Sequence, residues 1–299
     1  MSRSRGNRPG DPVGICIIDK PAGMTSHDVV SAVRKRLDTP RVGHAGTLDP
    51  MATGVLVVGV GAATKLLTFI TGVSKVYEAS IRFGAETDSL DSDGKVTATH
   101  EMSGLDPEAV HLAAKALTGE ILQVPPMVSA LRVDGRRLHQ LAREGIEVER
   151  KPRPATVMQF DLLPTSDPLL WTATVECSSG TYVRSLAADL GHALGGGAHL
   201  CGLRRTAVGP FGIDEANSIE DASLLPALEG VRQLDHLQVG EQLEDYVRHG
   251  RVLEQEQLGA SGDGPWAVLN ADSALLAVYE PFRETRCKPS IVLSSEVAE

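Results

Sequence analysis

One stretch of this chain holds an acid in a setting suited to chemistry. In Arg41-Val42-Gly43-His44-Ala45-Gly46-Thr47-Leu48-Asp49-Pro50-Met51-Ala52-Thr53-Gly54, a single carboxylate, Asp49, stands among glycines and ahead of a proline. Glycines let a backbone turn tightly and approach a ligand, and the proline ring stiffens the peptide that follows the acid. The apolar run Val55-Leu56-Val57-Val58-Gly59-Val60 comes next and reads as a buried strand. A carboxylate held in a stiff loop against a core strand is placed to act as a nucleophile. The same composition also describes an ordinary surface turn, because Asp-Pro and glycine-rich runs are common turn chemistry.

Other chemically capable residues are scattered along the chain. Tyr77, after Lys75-Val76, offers a π face and a phenol, but an inward-facing strand tyrosine would look the same. Arg184, in Gly180-Thr181-Tyr182-Val183-Arg184-Ser185-Leu186, reads by itself as an ordinary helix-surface arginine, and Leu203 as a core strand residue. The run Thr87 to Gly94, containing Asp91, lacks the first acid and the closing glutamate of a calcium loop, since Ser89 and His100 stand there. Cys16, Cys177, Cys201 and Cys287 form no C-x-x-C pair and have no histidine at zinc spacing, so neither a structural metal nor a disulfide is expected. Gly59-Val60-Gly61-Ala62-Ala63-Thr64 resembles a dinucleotide fingerprint only weakly, with Thr64 in the third glycine position. An aspartyl-phosphate enzyme built on Asp49 would want an acid two residues on, where Met51 stands.

The elements that must position these residues follow from periodicity and caps. A strand is expected over Val13 to Asp19, and a helix capped by Thr25 or Ser26 runs through Leu37 with Val29, Val30, Val33 and Leu37 at helical spacing. A short helix is expected at Thr64 to Ile70 and an alternating strand at Val76 to Phe83. Asp106-Pro107-Glu108 opens another helix. Strands are expected at Val157 to Leu163 and Trp171 to Cys177, then a helix from Tyr182 to Leu194 ending at Gly195-Gly196-Gly197. Without regular βαβ alternation, this mixture indicates an α+β fold around a mixed sheet. Composition changes near Ile213, beyond which a helix around Glu241 to His249 and strands at Trp266 to Leu269 and Ala274 to Tyr279 are expected.

With 299 residues and 42% apolar content, the chain can build a real core and about two domains. No apolar stretch approaches membrane-spanning length, and residues 1–10 read as a flexible basic tail without a signal-peptide core, which points to a cytoplasmic protein. The formal net charge of −10 argues superficially against a nucleic-acid partner, but it is unevenly spread. Between Asp214 and Glu256 there are 11 acids against 3 arginines, whereas Leu131 to Pro154 holds 7 basic residues against 4 acids. That basic lobe can meet a phosphate backbone, or it can be a solvated helix face.

The Asp49 run resembles the catalytic motif of TruB-type tRNA pseudouridine synthases, Gly-His-x-Gly-x-Leu-Asp-Pro-x-Ala-x-Gly. Further matches lie in order over roughly residues 12–212: Gly14 to Ser26, Lys75-Val76-Tyr77, Thr87 to Gly94, Gln123 to Leu131, Gly180 to Leu186 and Leu203 to Phe211. The resemblance implies an α+β, mixed-sheet pseudouridine synthase catalytic domain over 11–213 and a small β-rich, PUA-like RNA-binding module over 214–299. It implies isomerisation of the T-arm uridine (position 55) of tRNA to pseudouridine by base flipping and aspartate catalysis, with no cofactor. The implied partner is a tRNA T-arm stem-loop, met by a monomer without a protein partner, and relatives also assist RNA folding. Asp49 would be the catalytic residue and Arg184 its ion-pair partner. Tyr77 would stack under the target base, Tyr182 and Leu203 would line the pocket, and His44 would contact the displaced RNA. Asp91 would border the site, and Lys20 would support the catalytic loop. An insertion at 128–154 would clamp the RNA through Arg132, Arg136, Arg137 and Arg143, although Val128 stands where many relatives carry an aromatic residue. A non-catalytic RNA-binding scaffold and a nucleotide-dependent enzyme are the rival readings. The joint presence of Asp49, Tyr77 and Arg184 favours catalysis.

Overall fold

The computed structural model describes residues 11–129, 131–133 and 135–293, so the tail expected at 1–10 lies outside the described residues. A nine-stranded mixed sheet forms the larger part. Its strands are β1 (Gly14–Lys20), β2 (Val42–His44), β3 (Thr53–Val60), β4 (Lys75–Phe83), β5 (Gly119–Gln123), β6 (Arg153–Pro164), β7 (Leu170–Cys177), β8 (Ala198–Val208) and β9 (Phe211–Gly212). The order is β1-β3-β8-β4-β7-β6-β5, with β2 beside β3 and β9 beside β8. All neighbours are antiparallel except β3 and β8, which run parallel with Arg204 opposite Thr53 and Arg205 opposite Gly54.

The strand patterns report how many faces are covered. β3 is buried along almost its whole length because both faces of the sheet are packed there. On one side, Val29, Val30 and Val33 of α1 (Ser26–Arg36) meet Cys16, Ile18, Leu56 and Val58. On the other, Ile15, Ile17, Val55 and Val57 meet Leu66, Ile70 and Phe211. β4 instead alternates, since only its odd positions face the second core. There Ile81, Phe83, Phe160, Trp171 and Val175 pack against α2 (Pro107–Ala116) and α3 (Val183–Ala193). Local signals set the helix starts. Thr25 and Asp28 form a reciprocal capping box, and Asp106 accepts the Glu108 amide ahead of Pro107.

A five-stranded sheet follows, built from Asp235–Gln238, Leu253–Glu254, Trp266–Leu269, Leu275–Phe282 and Arg286–Val292. It begins later than the compositional change near Ile213. Between them the chain runs back along β1, where the amides of Asp19 and Ile15 donate to the carbonyls of Asn217 and Leu225 at 2.9 and 3.0 Å. Ala267, Leu269 and Val278 of the second sheet complete the core under β1 and β3. No described helix is long and apolar enough to cross a membrane.

In the nine-stranded sheet, β5 and β8 are the longest strands for which the sequence set no range, although Leu203 of β8 reads as a strand residue. β8 contains Gly202, Arg204 and Arg205, which break its alternation, and it forms because β3 and β4 flank it. β5 and β6 are adjacent and antiparallel, with Gln123 opposite Arg153, so a short turn would connect them. Residues 124–152 make that connection instead, and the expected insertion at 128–154 falls almost wholly within it.

Candidate active site

The Asp49 loop lies between β2 and β3 and is held from two directions. The buried Ser26 hydroxyl, at the start of α1, donates to the Leu48 carbonyl at 3.1 Å and accepts the Leu48 amide at 2.8 Å. The fully buried Lys20 ammonium donates to the carbonyls of Met24, Pro21 and Pro50 at 2.7, 2.9 and 3.3 Å. Burial pushes the Lys20 pKa down to about 8, opposed by the charge of nearby Asp49. Lys20 is thus a strut beneath the loop and does not line the cavity beside it.

That cavity, of about 290 Å³, is lined by the 46–49 loop, Lys75, Tyr77, Ser129, the 179–184 turn, Leu203 and Arg205. Asp49 is 37% exposed through it, while Arg184 behind is 3% exposed. Arg184 Nε meets Asp49 Oδ2 at 2.9 Å, and Nη1 meets Asp91 Oδ2 at 3.2 Å. The same guanidinium donates to the carbonyls of Ser89 at 2.9 Å and Val128 at 2.8 Å. Asp91 in turn accepts from the Ser89 hydroxyl at 2.5 Å and the Asp93 amide at 3.1 Å. Burial raises the Asp49 pKa above its ordinary value, with Asp91 adding to the rise, and Arg184 is the main opposing influence.

Tyr182 is the residue before α3, and its backbone is fixed by Gln123. The Gln123 amide oxygen accepts from Tyr182 N at 2.7 Å and its nitrogen donates to Tyr182 O at 3.1 Å. The Tyr182 phenol lies beside Ser129, and burial raises its pKa. Tyr77, on the core-facing register of β4, lies beside the Arg205 guanidinium, and burial raises its pKa as well. Both phenols therefore keep their protons at neutral pH.

The structure brings together Asp49, Tyr77, Tyr182, Arg184 and Leu203 around one cavity, with Asp91 immediately behind Arg184. His44 is elsewhere: it ends β2 opposite Val58 and does not line the cavity. Burial, with Arg205 nearby, lowers its pKa from 6.5, so the imidazole is neutral at neutral pH. Of the expected clamp, Arg136 is ion-paired with Glu144 at 2.5 Å and is away from the cavity. The side chains of Arg132, Arg137 and Arg143 lie outside what the structure describes. The segment reaches the cavity at its base, through the Val128 carbonyl and Ser129, and a backbone carbonyl serves there whatever the side chain of residue 128.

Arg205, Lys75, Ser26 and Gln123 lie in the matched segments but were not among the expected site residues. Arg205 is 1% exposed and donates from Nε to Val55 O at 2.7 Å and from Nη2 to Gly46 O at 3.1 Å. Two successive arginines inside an otherwise half-buried strand were the available signal. Gly54 is what lets Arg205 come so close: a Cβ there would sit 2.1 Å from the Arg205 carbonyl, and its φ is +102°. Among the described residues, no group of three histidine, cysteine or acidic side chains could hold a metal ion, and the four cysteines are free.

A half-exposed carboxylate on a buried guanidinium, backed by a buried second carboxylate and opening on one cavity, is the arrangement the Asp49 motif led to. The TruB family pseudouridylate synthase N-terminal domain matches residues 34–183, and the tRNA pseudouridylate synthase B C-terminal domain matches 184–248. The chain belongs to the TruB family of pseudouridylate synthases. The tRNA pseudouridine synthase B of Mycobacteroides abscessus is 45% identical over 285 residues, covering 90% of this chain and 93% of that one. That of Thermobifida fusca is 44% identical over 296 residues, covering 94% and 98%. Among solved structures, a chain of a Cbf5–Nop10–Gar1 complex superposes with a TM-score of 0.71 at 25% identity, covering 94% of this chain and 84% of that one. A chain of an archaeal box H/ACA sRNP Nop10–Cbf5 complex gives 0.70 at 22% identity, covering 99% and 92%, a likeness of fold. The two family matches meet inside the cavity. Asp49, Tyr77 and Tyr182 fall in the first, and Arg184, Leu203 and Arg205 in the second.

Proposed function

We propose that this chain isomerises the T-arm uridine at position 55 of tRNA to pseudouridine, acting as a monomer without a protein partner. The observation that carries the reading is the Asp49 carboxylate facing the cavity with Arg184 Nε 2.9 Å behind it. The reaction breaks N1–C1′, turns the ring, and joins C5 to C1′. The electron pair of the broken bond stays with the uracil ring, and C5 then supplies the pair for the new bond. The C5 proton is lost and N1 gains one, so no net oxidation or hydrolysis occurs. An ionised carboxylate beside the sugar can attack C1′ or remove a sugar proton, and Arg184 keeps it ionised despite burial.

The base must leave its stack to reach this cavity. Tyr77 gives it a stacking face, Leu203 an apolar wall, and Tyr182 a phenol at the mouth. In this reading His44, neutral and outside the cavity, meets the displaced RNA. The 128–154 segment closes on the stem through Arg132, Arg136, Arg137 and Arg143, with Arg136 leaving Glu144 to do so. We assign residues 11–213 to the catalytic unit and 214–299 to a second, PUA-like RNA-contacting unit. The second unit holds 17 acids against 6 basic residues. Its contacts therefore rest on RNA shape and base edges more than on phosphate attraction.

The test is to incubate the pure protein with unmodified tRNA and with a T-arm stem-loop, then map pseudouridine. Pseudouridine at position 55 of both is the expected result. Modification elsewhere, or none, would overturn the assignment.

A further inference from the structure

The cavity has a second charged end that the aspartate mechanism leaves unused. Lys75 and Arg205 both line it, and both are buried. Neither has a carboxylate ion-pair partner among the described residues. Lys75 Nζ donates to the carbonyls of Val73 at 2.6 Å and Thr71 at 2.7 Å. Arg205 donates to Val55 O and Gly46 O and lies close to the Tyr77 phenol. An ammonium has three donors and a guanidinium five, so each cation keeps hydrogen-bonding capacity beyond the carbonyls it holds.

Burying a cation against neutral dipoles alone is expensive unless hydrogen bonds offset the lost hydration. Neutral residues could brace the same carbonyl groups more cheaply. Two such cations, both near Gly46 in the lining of the cavity, make it attractive to negative charge. The reaction generates such charge. When N1–C1′ breaks with its electron pair on nitrogen, the ring becomes an anion delocalised over N1 and its carbonyl oxygens. Preorganised donors facing developing charge in a dry site are worth far more than the same donors in water.

We propose that Lys75 and Arg205 form an anion-stabilising wall for the detached uracil ring, beside Tyr77 in the same cavity. This rests on the proposed isomerisation and adds the groups that lower the barrier to glycosidic cleavage. The two cations stabilise the ring's charge, and neither is paired with Asp49. They hold the anion during its rotation, and their influence fades as C5 bonds to C1′ and N1 takes up its proton.

The test compares two leaving groups. T-arm stem-loops carry uridine or 5-fluorouridine at the target position. Fluorine withdraws electrons and makes the ring a better leaving group that needs less help. Single-turnover loss of the N-glycoside, free or enzyme-bound, is followed for the wild type, Arg205→Met, Arg205→Lys and Lys75→Met. With uridine, each Met variant should be slower by about 100-fold. With 5-fluorouridine the loss should shrink to under about tenfold, with stem-loop Kd within about threefold of wild type throughout. Arg205→Lys should recover most of the rate lost in Arg205→Met.

Equal losses on both substrates would mean that these side chains only brace the loop, and the proposal falls. A full-rate Met variant would also overturn it. If Arg205→Met does not fold, Lys75→Met carries the same comparison, because Lys75 does not bond the Asp49 loop. A wild type that forms no pseudouridine refutes the proposed function itself. An active wild type with no substrate-dependent defect refutes only this inference.

Discussion

Arg184 and Arg205 are buried arginines on the walls of one cavity, yet they are neutralised differently. Arg184 is clasped by two carboxylates, Asp49 and Asp91, and by two carbonyls. Arg205 is held by two carbonyls, those of Val55 and Gly46, with no carboxylate among the described residues. A cation paired with carboxylates is largely spent on them, and its job is to hold a negative charge already in the protein. A cation solvated by dipoles keeps its field, which reaches whatever enters the cavity. The Asp49 end therefore supplies a nucleophile or base, and the Arg205 end supplies positive potential. The two ends meet at the 46–55 segment, which carries Asp49 and whose Gly46 and Val55 carbonyls bind Arg205.

The sharpest way to break this contrast is at the acid. Asp49→Asn is nearly isosteric but has no carboxylate, and it should lose roughly 10⁴-fold or more in single-turnover rate. RNA binding should stay within about tenfold, or roughly 1.4 kcal/mol. Turnover near the wild-type rate would remove Asp49 from the chemistry.

Arg184→Met should cost about 10²–10³-fold at neutral pH, again with little loss of affinity. The sign of its pH dependence follows from the opposing influences on Asp49. Burial and Asp91 raise the Asp49 pKa, and Arg184 lowers it, so removing Arg184 raises it further. The rate depends on the ionised form, so the acid limb of the rate profile should move to higher pH. The variant should recover in part as pH rises. Arg184→Lys restores the charge without the planar fork and should rescue only partly. Rate–pH profiles of the three proteins test this, and an unshifted limb in the Met variant would show that Arg184 is not the partner.

Gly54→Ala tests whether the two ends share one frame. The added Cβ meets the Arg205 backbone, so β3 and β8 must part. We expect about 1–3 kcal/mol of lost stability in a denaturant titration, together with slower turnover. Unchanged stability would mean that this contact relaxes freely.

The smallest effect on chemistry is expected outside the cavity. Neutralising Arg136, Arg137 and Arg143 together should weaken tRNA binding and reduce its log–log salt slope by about three units at most, at ~0.9 per phosphate contact. The acid limb of the single-turnover rate should stay in place. An unchanged slope would make the segment a solvated face.

Much of the Asp49 end was legible in the sequence because its signals are local. The glycine-flanked Asp49-Pro50, the apolar run after it, the Thr25 cap and the helix beginning after Tyr182 each depend on neighbours a few residues away. β3 reads as a buried strand because it is apolar along its length, and β4 reads as half-buried because it alternates. The ordered motifs named the family before any geometry was considered.

The Arg205 end was not legible, and the reason is physical. A lysine or arginine looks the same in sequence whether it snorkels to water or is buried, and here burial is decided by pairing at long range. Arg205 is interior because β8 inserts between β3 and β4, parallel to one and antiparallel to the other. Its partners, Gly46, Val55 and Tyr77, lie more than a hundred residues earlier. By itself the sequence determined the acid, its turn and the strands that brace it, since backbone stiffness and hydrophobic period are properties of short segments. Which cations share the cavity with that acid, and which carboxylates quench them, was decided only by the tertiary structure, because charge acts through space and only the folded sheet sets those distances.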